Sequence, residues 1–201
     1  MTIGIIGAGH IGQAVAKRLS SVGIEALISN SRGPESLSSL VRELGPGIKA
    51  ATRQDAATAD IVFLAVPWTS HAAVVSDLPP WNGRIVIDAM NAASMGPEGF
   101  AALDLGGSPS SAVVAEHLRG ARVVKAFNTL TAAVLASDPQ QSGGRRVMFM
   151  SGADRDAKAT VARLIEQLGF APIDLGDFET GRQVQQFPGG ALAAINLVRF
   201  G

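Results

Sequence analysis

Residues 2–12 of the chain read TIGIIGAGHIG, and this stretch decides the fold. The apolar run at residues 2–7 is typical of a strand that is buried on both faces of a parallel sheet. Apolar residues then recur at every fourth position from Ile11 to Leu19, which predicts a helix over residues 10–22. Residues 24–29 predict a second strand, so the chain is expected to open with a β-α-β unit.

The glycines of this stretch form the pattern G-x-G-x-x-G between the first strand and the first helix. In that position Gly7 allows a tight turn, Gly9 lets backbone amides approach a pyrophosphate, and Gly12 permits close packing of the helix on the strand. A purely structural turn is the alternative, but the β-α-β setting favours dinucleotide binding. His10 and Ile11 are expected to face the pyrophosphate through their backbone, so His10 is given no catalytic role.

Strands and helices continue to alternate along the chain. Further strands are predicted at residues 60–66, 84–90, 121–127 and 147–151, and helices at residues 35–44 and 154–168, the latter with Asp154 as N-cap and Gly169 as its stop. Three segments rich in Gly, Pro and Ser are interpreted as loops: 33–34, 95–109 and 139–144. The pattern predicts an α/β fold with a doubly wound parallel sheet, the Rossmann fold.

The sequence predicts a dinucleotide-binding domain over residues 1–175 and a small C-terminal cap segment over residues 176–201. That segment belongs to no β-α-β unit, and we expect a loop followed by a short helix at residues 191–200. Its predicted role is a cap over the site or the contact of a homodimer.

Composition narrows the class of partner. The formal net charge is +0, which argues against a nucleic-acid or anionic-membrane surface, and 47% of the residues are hydrophobic, as in globular proteins. The absence of Cys rules out thiolate metal sites, and the spacing of the three His suggests no metal site. No apolar run reaches the length of a membrane span, and no signal-like segment precedes the first strand, so a cytoplasmic location is expected.

The end of the second strand indicates which dinucleotide is bound. A site for NAD usually carries an acid about twenty residues after the glycine loop, where it holds the ribose hydroxyls. This chain instead offers Ser31 and Arg32, with no acid before Glu35. A hydroxyl and a guanidinium suit a 2′-phosphate, whereas a carboxylate would repel it. The sequence therefore predicts NADP(H), although an ordinary polar turn is the alternative.

Other predicted strand ends contribute small and polar residues, since ligands of such sheets lie across the carboxyl ends of the strands. We assign Ala65, Val66, Pro67, Asn91, Ala126 and Asn128 to the cofactor, with the two Asn bonding ribose or carboxamide. His71, Lys125 and Asp88 are the nearest titratable groups, and the direction of Lys125 is left open. No motif for covalent or metal catalysis is found, so no catalytic residue is assigned. Hydride transfer between two flat redox rings requires mainly apposition.

Several of these motifs together resemble the NADP-dependent oxidoreductases of the deazaflavin (coenzyme F-420) type, which are related to the reductase domains of membrane ferric reductases. The resemblance covers the segments 7–12, 31–32, 66–68 with His71, 124–129 and 196–200, together with Arg182.

The resemblance implies direct hydride transfer between NADP(H) and a flavin-like ring, usually in a homodimer. It implies that residues 9–12 hold the pyrophosphate, that Ser31 and Arg32 hold the 2′-phosphate, and that Val66, Pro67 and His71 hold the inner part of the cofactor. Residues 126–129 would form the floor of the nicotinamide pocket. To the second substrate, which would be coenzyme F-420, FMN or FAD, we assign Phe127, Thr129, Phe187, Gly189 and Gly190.

Two alternatives remain open at this point. One is a reductase of a small carbonyl or imine whose pocket is completed by a dimer partner. The other is an NADP(H)-binding sensor without catalytic activity.

Overall fold

The strands of the computed structural model, which describes residues 1–201, are β1 (Ile3–Ile6), β2 (Ala26–Ser29), β3 (Ile48–Ala50), β4 (Ile61–Leu64), β5 (Ile85–Asp88), β6 (Ala93–Gly96), β7 (Gly99–Ala102), β8 (Arg122–Ala126), β9 (Gln140–Gln141), β10 (Gly144–Ser151), β11 (Ala171–Asp174) and β12 (Val198–Arg199). The helices are α1 (His10–Ser21), α2 (Ser38–Leu44), α3 (Arg53–Ala57), α4 (His71–Val75), α5 (Ser110–His117), α6 (Ala132–Ala136), α7 (Arg155–Gln167) and α8 (Phe178–Gln185), with 3-10 turns at Pro34–Leu37 and Trp68–Ser70.

The main sheet has the strand order β11-β10-β8-β5-β4-β1-β2-β3. Neighbouring strands from β3 to β8 are parallel, and the order reverses at β1, which lies between β2 and β4. In sheets of this kind the crevice for the ligand lies at that reversal, beyond the carboxyl ends of the strands. The doubly wound α/β fold is therefore confirmed, and the glycine loop follows the central strand.

One edge of the sheet departs from the predicted all-parallel arrangement. β10 pairs antiparallel with β8, and β11 runs parallel to β10. The connection from β8 to β10 contains the five-residue helix α6 and the short strand β9, and β10 starts at the end of the sheet where β8 finishes.

Buried apolar side chains cover both faces of the sheet. One cluster holds 29 buried residues, among them Ile3, Ile5 and Val15. A second cluster of 15 buried residues includes Ile6 on the opposite face. The continuous apolar run of β1 is thus explained by burial on both sides, as the sequence predicted.

The C-terminal segment differs from its prediction. The expected helix at residues 191–200 is absent, because Ala194 has a left-handed φ of 62° and β12 pairs antiparallel with β10. A helix occurs earlier instead, at α8, where the side chain of its N-cap Asp177 accepts a hydrogen bond from the Thr180 N–H. The division at residue 175 stays a prediction.

Other elements were missed because their sequence signals are weak. The predicted loop at residues 95–109 contains most of the hairpin of β6 and β7, and the predicted loop at 139–144 contains β9. β3 and β11 are short strands at the two edges of the sheet. Pro172 lacks a backbone N–H, and it is tolerated in β11 because an edge strand has a neighbour on one side only. The α7 helix has Asp154 as N-cap and Gly169 just beyond its end, as predicted. No helix combines the length and the apolarity that crossing a bilayer would need.

Candidate functional site

Two glycines of the first loop are required by the fold itself. Gly7 has a φ of 112°, and a Cβ at this position would overlap the carbonyl oxygen of Ala65. A Cβ at Gly12 would overlap the carbonyl oxygen of Gly7. These contacts bring α1 close against the strand ends, so Gly12 acts in packing and lines neither of the cavities described below.

Gly9 is different, because the fold does not require a glycine there. Its φ of −76° and ψ of −173° are extended, and a Cβ would meet no atom within 4 Å. Gly9 is the N-cap of α1 and makes no side-chain cap, so the N–H groups of the first turn are available to a ligand. The space in front of Gly9 suits the close approach of an anionic group.

A first cavity of about 810 Å³ runs from this loop to the end of β2. Its charged lining side chains are Arg32 and Arg53, and no carboxylate lines it. The lining residues are Ile6, Gly7, Ala8, Gly9, Gln13, Asn30, Ser31, Arg32, Ser36, Leu37, Leu40, Arg53, Ala65, Val66, Pro67, Ser70, Ala73 and Val74. A cradle of glycine backbone with two guanidinium groups fits the phosphates of a dinucleotide.

The two arginines of this cavity differ in how they are held. Arg53 donates to the carbonyl of Val74 at 2.8 Å and to Asp77 at 3.0 Å. The guanidinium of Arg32 is exposed and makes no hydrogen bond or ion pair within the chain. Its backbone N–H is held by Asn30 Oδ1 at 2.9 Å, so the turn is ordered while the side chain remains free for a ligand.

A second cavity of about 710 Å³ adjoins the first, and the two share Gly9, Ala65, Val66 and Pro67. Its lining contains no Asp, Glu, Lys or Arg, and the one ionisable side chain is that of His10. The remaining lining residues are Ile11, Trp68, Thr69, Ala89, Met90, Asn91, Ala93, Ser94, Met95, Phe100, Asn128, Thr129, Leu130, Thr131, Ala132, Phe187 and Ala194. The rings of Phe100 and Phe187 meet edge to face, with centroids 5.8 Å apart.

Asn91 and Asn128 line this cavity, but their amide groups are already engaged. Asn128 Nδ2 donates to Asn91 Oδ1 at 2.9 Å and to the carbonyl of Gln185 at 2.6 Å. Asn91 Oδ1 also accepts the Phe187 N–H at 3.3 Å, and Asn91 Nδ2 donates to the carbonyl of Asn128 at 3.0 Å. The pair therefore holds the Phe187 segment against the strand ends, which differs from the predicted bonding to ribose or carboxamide.

Several predicted site residues lie outside both cavities. Ala126 and Phe127 are 0% exposed, and the left-handed φ of Phe127 places its ring in the same core cluster, edge-on to Phe63 at 5.0 Å. That geometry corrects the assignment of Phe127 to the substrate and of Ala126 to the cofactor. Gly189 and Gly190 line neither cavity, although Phe187 of the same loop does.

His71 also lies away from both cavities. It is buried, its ring packs against that of Trp68 with centroids 4.6 Å apart, and its Nδ1 donates to the carbonyl of Trp68. The start of α4 turns this side chain toward His117 rather than toward the shared wall. The family resemblance implied that His71 contacts the cofactor, but in this position the side chain of His71 lines neither cavity.

Lys125, whose direction the sequence left open, points into the protein and pairs with Asp88 at 3.1 Å. Lys125 Nζ also donates to the carbonyl of Met90 at 2.6 Å, while Asp88 Oδ1 accepts the Met90 N–H at 3.0 Å. Ser111 donates to Asp88 at 2.6 Å. This buried pair fixes the backbone of Met90, which lines the second cavity, and is itself absent from the lining of either.

Sequence reasoning missed the hairpin side of the second cavity. Met95 and Phe100 lie on β6 and β7, in a segment interpreted as a loop, and both are exposed apolar residues. Large apolar side chains within a glycine-rich segment were the available signal. Asn30 and Arg53 were also missed; Arg53 is distant in sequence from every motif and reaches the cavity only through the fold. No group of His, Asp and Glu in the chain is arranged to hold a metal ion.

Several known proteins are similar to this chain in sequence and in fold. Residues 2–92 match the family model described as "NADP oxidoreductase coenzyme F420-dependent". A crystal structure of a hypothetical protein from Sinorhizobium meliloti is similar with a TM-score of 0.94 and 50% sequence identity, covering 99% of this chain and 96% of that one. A proposed F420-dependent NADP reductase from Arthrobacter sp. FB24 has a TM-score of 0.74 and 28% identity, covering 90% of this chain and 87% of that one.

A further relative is Metalloreductase STEAP3 of Rattus norvegicus, 28% identical over 188 residues, which are 92% of this chain. The match spans only 36% of that protein's length. The family match covers the glycine loop, the end of β2 and the shared wall at Ala65–Pro67, which are the features that form the first cavity. Over residues 2–92 the chain is therefore similar to the NADP oxidoreductases that are described as coenzyme F420-dependent.

Proposed function

We propose that this chain transfers a hydride directly between NADP(H) and a flavin-like ring, which could be coenzyme F-420, FMN or FAD. The observation that carries the proposal is the wall shared by the two cavities at Gly9 and Ala65–Pro67. The first cavity is lined elsewhere by two arginines and suits a phosphorylated dinucleotide. The second cavity has a mostly apolar lining and suits a planar ring.

The cofactor half of the proposal rests on the first cavity. The first turn of α1 binds the pyrophosphate through its free N–H groups, and Ser31 with the free guanidinium of Arg32 binds the 2′-phosphate. Leu37 and Leu40 offer an apolar wall for the adenine. NADP(H), when bound, supplies the hydride at its nicotinamide ring, and the shared wall leads that ring toward the second cavity.

The acceptor half rests on the second cavity. Its lining is mostly apolar, and Phe100 and Phe187 offer aromatic surfaces against which a flat ring can pack. No acid or base other than His10 lines it, which suits hydride transfer between two rings better than reduction of a carbonyl or imine, a reaction that requires proton delivery to the substrate. The relatives described as F420-dependent and as a metalloreductase are redox proteins of compatible chemistry.

The test is NADPH oxidation under anaerobic conditions with coenzyme F-420, FMN and FAD offered separately. Turnover with at least one ring is expected. Tight NADP(H) binding by calorimetry without turnover on any ring would contradict the proposal and favour a sensor. Size-exclusion chromatography with light scattering tests the predicted homodimer independently.

A further inference from the structure

The second cavity contains one buried polar group that the fold leaves unused. Three buried polar side-chain atoms of the chain have no hydrogen-bond partner: His71 Nε2, Thr129 Oγ1 and Arg146 Nη1. Of these residues only Thr129 lines either cavity, and it is 3% exposed. A buried hydroxyl without a partner costs free energy, so such a group in a ligand cavity points to a partner that the ligand supplies.

The backbone around Thr129 is fixed, whereas its hydroxyl is not. The carbonyl of Thr129 accepts the Ala194 N–H at 3.0 Å, and the carbonyl of the preceding Asn128 accepts Asn91 Nδ2 at 3.0 Å. No hydrogen bond holds Thr129 Oγ1 in its present rotamer, so a change between staggered rotamers can direct it to a ligand. Thr129 therefore offers the second cavity a donor and acceptor on a rigid support.

The other hydroxyls of this cavity differ from that of Thr129 in exposure. They are all exposed, and they belong to Thr69, Ser94 and Thr131. A neighbouring pocket of about 320 Å³ meets the cavity at His10 and Ala132, and its lining includes Lys17 and Glu43. Because an anionic substrate tail keeps its hydration best beside exposed groups, the buried hydroxyl of Thr129 is left for an uncharged ring.

We propose that the Thr129 hydroxyl donates a hydrogen bond to a carbonyl oxygen of the pyrimidinedione, the part of the acceptor ring that coenzyme F-420, FMN and FAD have in common. The inference rests on the proposed function and deepens it, since it names the group of the acceptor that the cavity recognises. The three acceptors differ in other parts of the ring and in their tails. This contact therefore recognises the class of acceptor rather than one member of it.

The same contact assists the reaction. As the C4–H bond of the reduced nicotinamide breaks, the hydride carries both bonding electrons to position 5 of the acceptor ring, and NADPH is oxidised to NADP⁺. Negative charge develops on the pyrimidinedione, and bulk water supplies the proton that neutralises it. A donor at a carbonyl oxygen binds the ring more tightly as that charge develops, so Thr129 stabilises the transition state more than the oxidised ring.

Two variants separate the hydroxyl of Thr129 from its methyl group. Thr129→Val replaces the hydroxyl by a group of similar size, and Thr129→Ser retains the hydroxyl. In the NADP⁺-loaded protein, we expect Thr129→Val to raise the Kd of the acceptor about 5- to 20-fold and Thr129→Ser to raise it about twofold or less, as measured by quenching of acceptor fluorescence. The melting temperature of the Val variant should equal or exceed that of the wild type, because no contact of the fold is lost.

Three outcomes of these measurements would overturn the inference. A clear fall in the melting temperature of the Val variant would show that the hydroxyl has a partner within the fold. A Ser variant that binds the acceptor more weakly than the Val variant would assign the effect to packing of the methyl group. A loss of affinity for NADP⁺ alone would place the hydroxyl at the nicotinamide.

Probes with and without an anionic tail place the contact on the ring. Lumiflavin shares the ring of FMN, and 8-hydroxy-5-deazariboflavin shares the ring of coenzyme F-420, but neither carries an anionic tail. Thr129→Val should weaken the binding of both members of a pair by the same factor. A loss seen only with the tailed member, or no binding of any ring to the wild type, would overturn the inference.

The binding measurement also keeps this inference separate from the proposed function. If Thr129→Val weakens ring binding in a protein that reduces no ring, the inference is supported and only the proposed function is contradicted. If the wild type reduces a ring and Thr129→Val changes neither its Kd nor its rate of reduction, the inference is overturned and the proposed function stands.

Discussion

Replacing Arg32 by Ala is expected to weaken NADPH binding while leaving NADH binding unchanged. The guanidinium lines the first cavity, is exposed, and has no partner within the chain, so its removal breaks no contact of the fold. A hydrogen bond to a charged group contributes about 1.5–3 kcal/mol, and solvent exposure favours the lower part of that range. A loss of about 1.5–2 kcal/mol corresponds to an increase in Kd of about 10- to 30-fold.

The assay is calorimetric titration of NADPH and NADH into the wild type and the variant under the same buffer conditions. NADH lacks the 2′-phosphate, so the ratio of the two Kd values isolates that contact from any general effect on the site. Arg42→Ala is the matched control, because Arg42 is an exposed arginine on the neighbouring α2 and lines neither cavity. If Arg32→Ala leaves the NADPH to NADH ratio unchanged, the assignment of the 2′-phosphate to Arg32 is wrong.

Three further predictions follow from other parts of the structure. Gly9→Ala should leave the melting temperature within about 2 °C of wild type, because a Cβ there meets no atom, yet weaken NADP(H) binding by at least about tenfold; a marked fall in melting temperature would contradict this account of Gly9. Lys125→Met should lower the free energy of unfolding by about 3–5 kcal/mol in urea titrations, since it leaves Asp88 buried without its counter-ion, and adding Asp88→Asn should restore part of the loss. Equal losses in the single and double variants would count against that reasoning. The Arg122 guanidinium and then the Ala157 N–H hold the pKa of the Asp154 carboxyl well below its usual range, so this group stabilises the fold above about pH 4 and the contribution is lost as the pH falls below that. Asp154→Asn should therefore cost about 1 kcal/mol near pH 7 and less near pH 3, as measured by urea unfolding; the same cost at both pH values would exclude the ionic contribution.

The sequence predicted the parts of the site that depend on local chain geometry. The glycine loop, the strand end at Ala65–Pro67 and the turn at Ser31 and Arg32 are each a short contiguous motif whose residue types indicate the backbone geometry without knowledge of distant contacts. Gly9, Ser31, Arg32, Ala65 and Pro67 line the first cavity.

The prediction was less successful where side-chain direction depends on packing. Alternation along β8 could not reveal that Phe127 adopts a left-handed φ and joins the core. His71 follows a strand end, but the turn before α4 directs it to Trp68. Asn91 and Asn128 are near the cofactor site, yet the sequence could not show that they bond to each other across the sheet.

The outer side of the second cavity was missed for a different reason. The hairpin of β6 and β7 is short, exposed and rich in Gly, so neither alternation nor burial produced a strand signal. Met95 and Phe100 are the large apolar side chains of this hairpin, and both line the cavity.

Direct hydride transfer requires the nicotinamide and the flavin-like ring to meet where the two cavities join, next to Gly9 and Ala65–Pro67. The decisive measurement is anaerobic stopped-flow mixing of the protein with NADPH deuterated at the transferred C4 position and with the acceptor, among coenzyme F-420, FMN and FAD, that supports turnover. We expect the nicotinamide and flavin absorbance bands to change with one rate constant, and deuterium to slow both changes by about the same factor. NADPH that binds tightly while the flavin band stays constant, or flavin reduction without an isotope effect at any concentration, would contradict it.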